Sequence, residues 1–257
     1  MFIDTHCHLD FPPFMFDMPQ TLANAQQAKV KALIVPTISA AHFDRVIDLA
    51  NQHIAIYAAL GLHPIYQHQQ HDIDKLEDQL KQQHHRVIAI GEIGLDRWVS
   101  MPTIEEQAIF FYAQLALAKK YQLPVILHSR RAHDLLYTAL KEARLPQVGV
   151  IHGFSGSFEQ AMQFIRLGYF IGVGGTITYP RANKTRQAIA KLPLTSLVLE
   201  TDAPDMPLFG YQGQINRPEN IVQIFETLCQ LRNEPKETIC DQIRLNSKTL
   251  FPLLFSS

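Results

Sequence analysis

The hydrophobic residues of this 257-residue chain are grouped into eight short runs, separated by longer segments of mixed polarity. Each run is nearly continuous and rich in β-branched residues, as is typical of strands that helices cover on both faces. The runs lie at residues 2–6, 31–38, 56–64, 86–94, 124–130, 148–154, 169–177 and 197–204. The pattern therefore predicts a buried sheet of eight strands.

Segments with a helical pattern lie between these runs. In the segment 103–121, Thr103 and Glu106 have the spacing of a capping box, and the apolar residues mostly recur every three or four positions. We expect the buried face of this helix to consist of Ile109, Phe110, Ala113, Leu117 and Tyr121. Ser157 and Gln160 repeat the capping-box spacing at the start of another helix. Strands and helices are therefore predicted to alternate along the chain.

Eight strands that alternate with helices in about 250 residues have the size and element order of a (β/α)8 barrel of the TIM type. A doubly wound open sheet is the alternative. The chain contains no linker rich in proline, glycine or serine and no low-complexity segment, so we interpret residues 1–257 as one domain.

The composition of the chain indicates its cellular compartment and the kinds of partner that it can bind. The formal net charge of -1 lacks the basic excess of proteins that rely on nonspecific attraction to nucleic acid. Three widely spaced cysteines, Cys7, Cys229 and Cys240, argue against a disulfide framework or a thiolate zinc site. The sequence has no signal-peptide pattern and no apolar run long enough for a membrane span. We therefore expect a cytoplasmic protein with no membrane association and no obligate protein partner.

Histidines supply the first candidate chemistry. His6 and His8 lie at the end of the first predicted strand, where residues two apart point to the same side while Cys7 points away. Alone, such a pair is either a metal site or two hydrogen-bonded polar residues. Seven of the 12 histidines lie in polar or helical surroundings and are interpreted as surface or structural residues: His42, His53, His68, His71, His84, His85 and His133.

Four further residues that bind metals well stand at the ends of other predicted strands. Glu92 ends the fourth strand, His128 the fifth, His152 the sixth and Asp202 the eighth. In a barrel the carboxyl ends of all strands face one mouth, so these side chains are expected to converge with the first two histidines. Burying so many imidazoles and carboxylates together is costly without a cation.

Six nitrogen and oxygen ligands exceed the needs of one tetrahedral ion and suffice for two divalent ions that share one carboxylate. Glu92 is the predicted bridge. In the absence of thiolate ligands, the site suits Zn²⁺, Mn²⁺ or Mg²⁺.

The motifs that contain these residues resemble those of the TatD family of metal-dependent hydrolases, and of its YjjV-like bacterial branch in particular. The matching motifs, in order, are DTHCHLD, GLHP, GEIGLD, PVILHSR, HGFSGS, GVGGTIT and LETDAP. The resemblance implies a (β/α)8 barrel and metal-dependent hydrolysis, and several members of the family are deoxyribonucleases. It implies the metal ligands His6, His8, Glu92, His128, His152 and Asp202.

Two segments depart from the family pattern. After GEIGLD the family usually continues with an aromatic residue, whereas this chain has Arg97 followed by Trp98. Residues 215–221 read INRPENI in place of the usual RNEP type of segment. Both segments are predicted loops near substrate, so they leave the substrate open.

We hypothesise hydrolysis by a metal-bound hydroxide, with Asp202 as the general base and Glu92 as the shared catalytic carboxylate. His63 is expected to contact substrate or to make a supporting hydrogen bond, and Arg130 to bind a phosphate. Trp98 is expected either to stack on a base or to pack on the barrel. Residues 172–176 lack the spacing of a dinucleotide fingerprint, and their glycines are expected to let backbone approach closely.

The expected substrate is a DNA end, cleaved by a phosphodiesterase or deoxyribonuclease reaction. The alternative is a small ester, lactone, amide or phosphomonoester hydrolysed by the same metals, because barrels of this kind change substrate by loop variation. A catalytically silent barrel that acts as a binding protein is the third possibility, and the complete ligand set argues against it.

Overall fold

The computed structural model describes residues 1–255. Within them, eight strands form one parallel sheet in chain order. The strands are β1 Phe2–Asp4, β2 Val30–Pro36, β3 Ile56–Leu60, β4 Val87–Asp96, β5 Val125–Arg130, β6 Val150–Ile151, β7 Phe170–Val173 and β8 Leu197–Leu199.

The first strand is joined to the last. The backbone amide of Thr5 donates to the carbonyl of Leu199 at 3.0 Å, and the Thr5 hydroxyl donates to the same oxygen at 2.9 Å. A doubly wound sheet would reverse its strand order at a switch point, and no reversal occurs among the eight strands of residues 1–255. The predicted (β/α)8 barrel fold is therefore confirmed, and the doubly wound alternative is wrong.

Helices alternate with the strands as predicted. They are α1 Met18–Gln27, α2 Phe43–Gln52, α3 Gln70–Lys81, α4 Ile104–Tyr121, α5 His133–Ala143, α6 Phe158–Arg166, α7 Asn183–Lys191, α8 Ile221–Leu231 and α9 Lys236–Leu250. The two predicted capping boxes are confirmed, at Thr103 with Glu106 and at Ser157 with Gln160. Within residues 1–255, every helix is too short or too polar to cross a membrane.

The predicted face of α4 is wrong. Ile109 is 65% exposed, and of the five expected core residues only Leu117 is buried. The face that is buried includes two glutamines, Gln107 and Gln114, whose amides bond to backbone of neighbouring loops. A pattern of apolar residues cannot predict a buried helix face that includes polar side chains whose hydrogen bonds are made within the protein.

Several strands are shorter than the hydrophobic runs that predict them. β1 ends at Asp4, β6 contains only two residues and β8 ends at Leu199. The last part of each run leaves the sheet as a loop directly beyond the strand, and Asp202 has a left-handed backbone with φ of 60°. The motifs that carry the candidate ligands therefore lie on short loops held by strand ends.

The chain divides into two compact units. The first contains Met1–Val35 and His152–Thr249, and the second contains Pro36–Ile151 with the C-terminal segment from Leu250. The interpretation of residues 1–257 as one domain stays a prediction, and its last two residues lie outside the described part of the chain.

Candidate metal centre

The loop after β1 and the loop after β8 meet in the first unit and bring three predicted ligands together. His6 Nε2 lies 3.2 Å from His8 Nε2 and 3.3 Å from Asp202 Oδ1. His8 Nε2 lies 3.7 Å from the same carboxylate oxygen. A backbone hydrogen bond of 2.9 Å from the Asp202 amide to the His6 carbonyl fixes the two loops to each other. Two imidazole nitrogens and a carboxylate oxygen thus converge on one point.

His152, directly after β6, adds a fourth predicted ligand to this group. Its ring stacks on that of His6, with centroids 3.9 Å apart and planes 12° from parallel. His6, His152 and Asp202 each offer a ligand atom, and these atoms all lie within 4.8 Å of one another. Close histidine and carboxylate donors of this kind suit a divalent transition metal.

Asp4, which is not among the residues predicted from the sequence, holds this group in place. Its carboxylate accepts hydrogen bonds from the Thr201 amide at 2.9 Å and from the Thr201 hydroxyl at 2.6 Å. The Thr201 hydroxyl in turn accepts from the Ala203 amide at 3.2 Å. Burial raises the pKa of Asp4 to about 7 against the opposing effect of these bonds. Asp4 therefore fixes the backbone on both sides of Asp202.

Glu200 is a second missed carboxylate, and it is fully buried. It accepts a hydrogen bond from the Gly153 amide, and its Oε1 lies 3.8 Å from His152 Nδ1. Burial raises the pKa of Glu200 to about 8. A carboxylate behind a ligating histidine orients the ring and increases its basicity. Glu200 stands in that position relative to His152.

The glycines of residues 172–176 make room for this carboxylate. A Cβ on Gly172 would lie 2.9 Å from Glu200 Cδ and 3.0 Å from the His152 Cα. At Gly175 the close neighbour is the backbone carbonyl of Met206, at 2.8 Å. The expected close approach of backbone is therefore confirmed at Gly175 and at Gly172, where the Glu200 side chain also lies close.

In the second unit, Glu92 and His128 come together with His63. Glu92 Oε1 lies 2.9 Å from His63 Nε2 and 3.0 Å from His128 Nδ1. The three residues offer ligand atoms that all lie within 4.8 Å of one another. His63, which the sequence predicts to contact substrate or to make a supporting hydrogen bond, thus stands close enough to ligate. The donor set of this group also fits a divalent cation.

Asp96, at the end of β4, is the third missed carboxylate. Its Oδ2 lies 2.9 Å from His128 Nε2, and its Oδ1 accepts from the Trp98 amide at 2.6 Å. Burial alone would raise the pKa of Asp96, but the hydrogen bonds from His128 and Trp98 outweigh it and lower the pKa. With Nε2 bound to Asp96, His128 presents Nδ1 on the side of Glu92.

The buried glutamines of α4 hold the loops of this second group. Gln107 accepts from the Asp96 amide at 2.7 Å and donates to the Asp96 carbonyl at 2.9 Å. Gln114 accepts from the Leu62 amide, beside His63, at 2.7 Å. Each amide therefore fixes the backbone next to a residue of the candidate site.

The other predicted residues lie in different surroundings. His68 and His133 are buried, and each of their rings lies within hydrogen-bond distance of a nearby oxygen, the His63 carbonyl at 2.8 Å and the Ser129 hydroxyl at 3.0 Å. The remaining five histidines interpreted as surface or structural are exposed or half-buried. Arg130 is exposed and stands over the ring of Trp98.

Known proteins match almost the whole chain. The family model described as TatD related DNase matches residues 3–252. A protein of Escherichia coli K12 named uncharacterized metal-dependent hydrolase YjjV is 55% identical over 252 residues, which cover 97% of each chain. The crystal structure of YjjV, described as a TatD homolog, matches with a TM-score of 0.96 over 98% of each chain. The human protein named deoxyribonuclease TATDN3 is 32% identical, over 98% of this chain and 95% of that protein.

Proposed function

This chain belongs to the TatD family of metal-dependent hydrolases, and we propose that it is a deoxyribonuclease that hydrolyses phosphodiester bonds at DNA ends. The observation that carries the proposal is the presence of two groups of histidine and carboxylate donors, each with ligand atoms within 4.8 Å of one another. The deoxyribonuclease name of the human relative supports the choice of substrate.

Six residues are proposed to hold two divalent cations, Zn²⁺, Mn²⁺ or Mg²⁺, with Glu92 as the shared carboxylate. They are His6, His8, Glu92, His128, His152 and Asp202. Divalent cations bound by such residues lower the pKa of a bound water and neutralise charge on a phosphoryl group. Asp4, Glu200 and Asp96 orient these ligands from behind.

Asp202 is proposed as the general base. Its side chain is 15% exposed, whereas that of His6 beside it is fully buried, so the carboxylate is open to an entering water molecule. The left-handed backbone at Asp202 and the bonds of Thr201 to Asp4 hold the carboxylate at that opening. In this position Asp202 can accept a proton from the attacking water.

His63 and Arg130 are proposed to contact the substrate. His63 Nε2 lies 2.9 Å from Glu92 Oε1, which places the imidazole beside this carboxylate, where a phosphate oxygen would enter. Arg130 is exposed at the end of the strand that carries His128, and its planar guanidinium suits a phosphate.

The free thiols of all three cysteines support a reducing compartment such as the cytoplasm.

End-labelled single-stranded DNA, incubated with metal-stripped protein and then with Mn²⁺, Mg²⁺ or Zn²⁺, tests the proposal. We expect stepwise shortening that requires metal, is lost in Asp202→Asn and persists in Asp205→Asn, an exposed aspartate of the same loop. Metal content is measured in parallel for each variant. If the metal-loaded protein leaves DNA intact and hydrolyses a small ester, the small-molecule alternative replaces the nuclease assignment.

A further inference from the structure

Two arginines, at the end of β5 and directly after it, share the ring of Trp98 in the loop after β4. The guanidinium carbon of Arg130 lies 4.4 Å from the ring centroid, and that of Arg131 lies 4.1 Å from it. These distances are those of cation–π contacts. Trp98 is 53% exposed and is the single tryptophan of the chain. The ring therefore holds two positive charges together at the surface.

The charges of these two arginines are not neutralised by a carboxylate of residues 1–255. Within residues 1–255, neither Arg130 nor Arg131 forms an ion pair with a carboxylate. The nearby Arg97 differs, because it donates two hydrogen bonds to Asp134, at 3.0 and 3.1 Å. Two guanidinium groups on one ring are closer together than the Debye length of about 10 Å at 0.1 M salt, so they repel each other. An anion that contacts both groups would relieve this repulsion and use their open donors.

The backbone places both arginines at the ring. Arg131 has a left-handed backbone, with φ of 56°, which is uncommon for a residue with a side chain. The next residue, Ala132, is fully buried. The Arg97 amide donates to the Arg130 carbonyl at 2.9 Å, and the Trp98 amide donates to Asp96. The arrangement is therefore fixed by the fold.

The same contacts connect the ring to the candidate metal ligand His128. Asp96 accepts from the Trp98 amide through one carboxylate oxygen and lies against His128 through the other. His128 and Arg130 are two residues apart in β5, so their side chains leave the strand on the same side, about 6.6 Å apart along it. Arg130 can therefore contact a phosphate next to the one that reaches His128.

We propose that Trp98 positions Arg130 and Arg131 as a clamp for a phosphate that flanks the hydrolysed bond. The inference rests on the proposed nuclease function and specifies its substrate as a strand with at least two phosphates. The guanidinium groups bind the flanking phosphate with their N–H donors, and Trp98 acts as a positioning residue. A phosphomonoester or another small ester has no second phosphate and gains nothing from the clamp.

Thymidine trinucleotides that differ only at the flanking linkage test the clamp on the metal-loaded protein. One probe has a phosphodiester at that position, and the other has an uncharged methylphosphonate. We expect the wild type to have a KM about tenfold lower for the charged probe. Arg130→Gln and Arg131→Gln should each raise KM for the charged probe more than KM for the methylphosphonate probe, and so reduce this tenfold preference.

The tryptophan and control variants separate positioning from folding. Trp98→Ala should raise KM for the charged probe, as the loss of an arginine does. Trp98→Phe, which keeps an aromatic face, should restore most of the difference in KM between the two probes. Arg144→Gln, an exposed arginine at the other end of α5, should leave both KM values unchanged. In the wild type, the fluorescence of Trp98 should change on binding of the charged probe alone. The slope of log affinity against log salt should fall by about 0.7 in total when the contact to the flanking phosphate is lost.

Two results would overturn the proposal in distinguishable ways. Equal KM values of the wild type for the two probes, with both hydrolysed, would refute the clamp and leave the nuclease function intact. Failure to bind or hydrolyse either probe, with metal content confirmed, would refute the nuclease function and the clamp together.

Discussion

Replacing Gly172 by alanine tests how tightly the buried carboxylate of Glu200 is fitted behind His152. The new methyl carbon would lie 2.9 Å from Glu200 Cδ and 3.0 Å from the His152 Cα, both closer than normal carbon contacts. Overpacking of this kind costs about 1–3 kcal/mol, and the loss of glycine flexibility in the unfolded chain returns about 0.4–1 kcal/mol. We therefore expect Gly172→Ala to lower the free energy of unfolding by about 1–2 kcal/mol.

Gly174→Ala is the matched control. There the new methyl carbon would lie 3.4 Å from Glu200 Oε1 and 3.5 Å from Glu200 Cγ, so it needs at most a slight adjustment. We expect its free energy of unfolding, measured by urea denaturation, to equal that of the wild type or to exceed it by up to about 1 kcal/mol.

The double variant Gly172→Ala with Glu200→Ala tells whether the carboxylate is the obstacle. Its destabilisation should be smaller than that of the two single variants together by about 1 kcal/mol, because the displaced group is gone. Equal stability of Gly172→Ala and the wild type, or strictly additive effects in the double variant, would refute this explanation of the glycine.

Two further changes address other contacts. Asp96→Asn leaves one side-chain oxygen where His128 and the Trp98 amide need two acceptors, so affinity for Zn²⁺ or Mn²⁺ in calorimetric titration should fall about 10- to 100-fold. Unchanged affinity would contradict this role, and the exposed Asp78→Asn serves as control. Arg232 donates hydrogen bonds of 2.6 and 3.1 Å to Glu234 and lowers its pKa, so Glu234→Gln should reduce the free energy of unfolding at neutral pH by less than about 1 kcal/mol. The difference in the free energy of unfolding should disappear as the pH falls below 4.5 and through the lowered pKa of Glu234, because the carboxyl is then protonated. A difference that persists in acid would count against the ion pair.

Much of the candidate site could be predicted from the sequence because the carboxyl ends of parallel strands lie on the same side of a sheet. Residues two apart after β1, His6 and His8, do converge, and Cys7 turns away toward the Ile34 carbonyl. That convergence holds although β1 itself ends at Asp4, two residues before the first histidine. Position relative to a strand end is therefore a stronger signal than the exact extent of the strand.

The supporting residues could not be predicted in the same way. Asp4, Glu200 and Asp96 lie in the quoted motifs, yet their roles depend on which backbone amides and rings they meet after folding. The glutamines of α4 are polar residues on a buried face, so the apolar pattern pointed to the wrong side of the helix. Hydrogen bonds between residues far apart in sequence produce no local sequence pattern from which they could be predicted.

Counting the metal ions bound to the purified chain tests the central claim most directly. After loading with Mn²⁺ or Zn²⁺ and removal of excess metal, mass spectrometry of the metal content should give two ions per chain. Glu92→Gln should lower the occupancy of both positions, because the proposed ligand sets share this carboxylate, whereas Glu105→Gln at an exposed site should retain both ions. Saturation of the wild type at one ion or none, or two tightly bound ions in Glu92→Gln, would contradict the account.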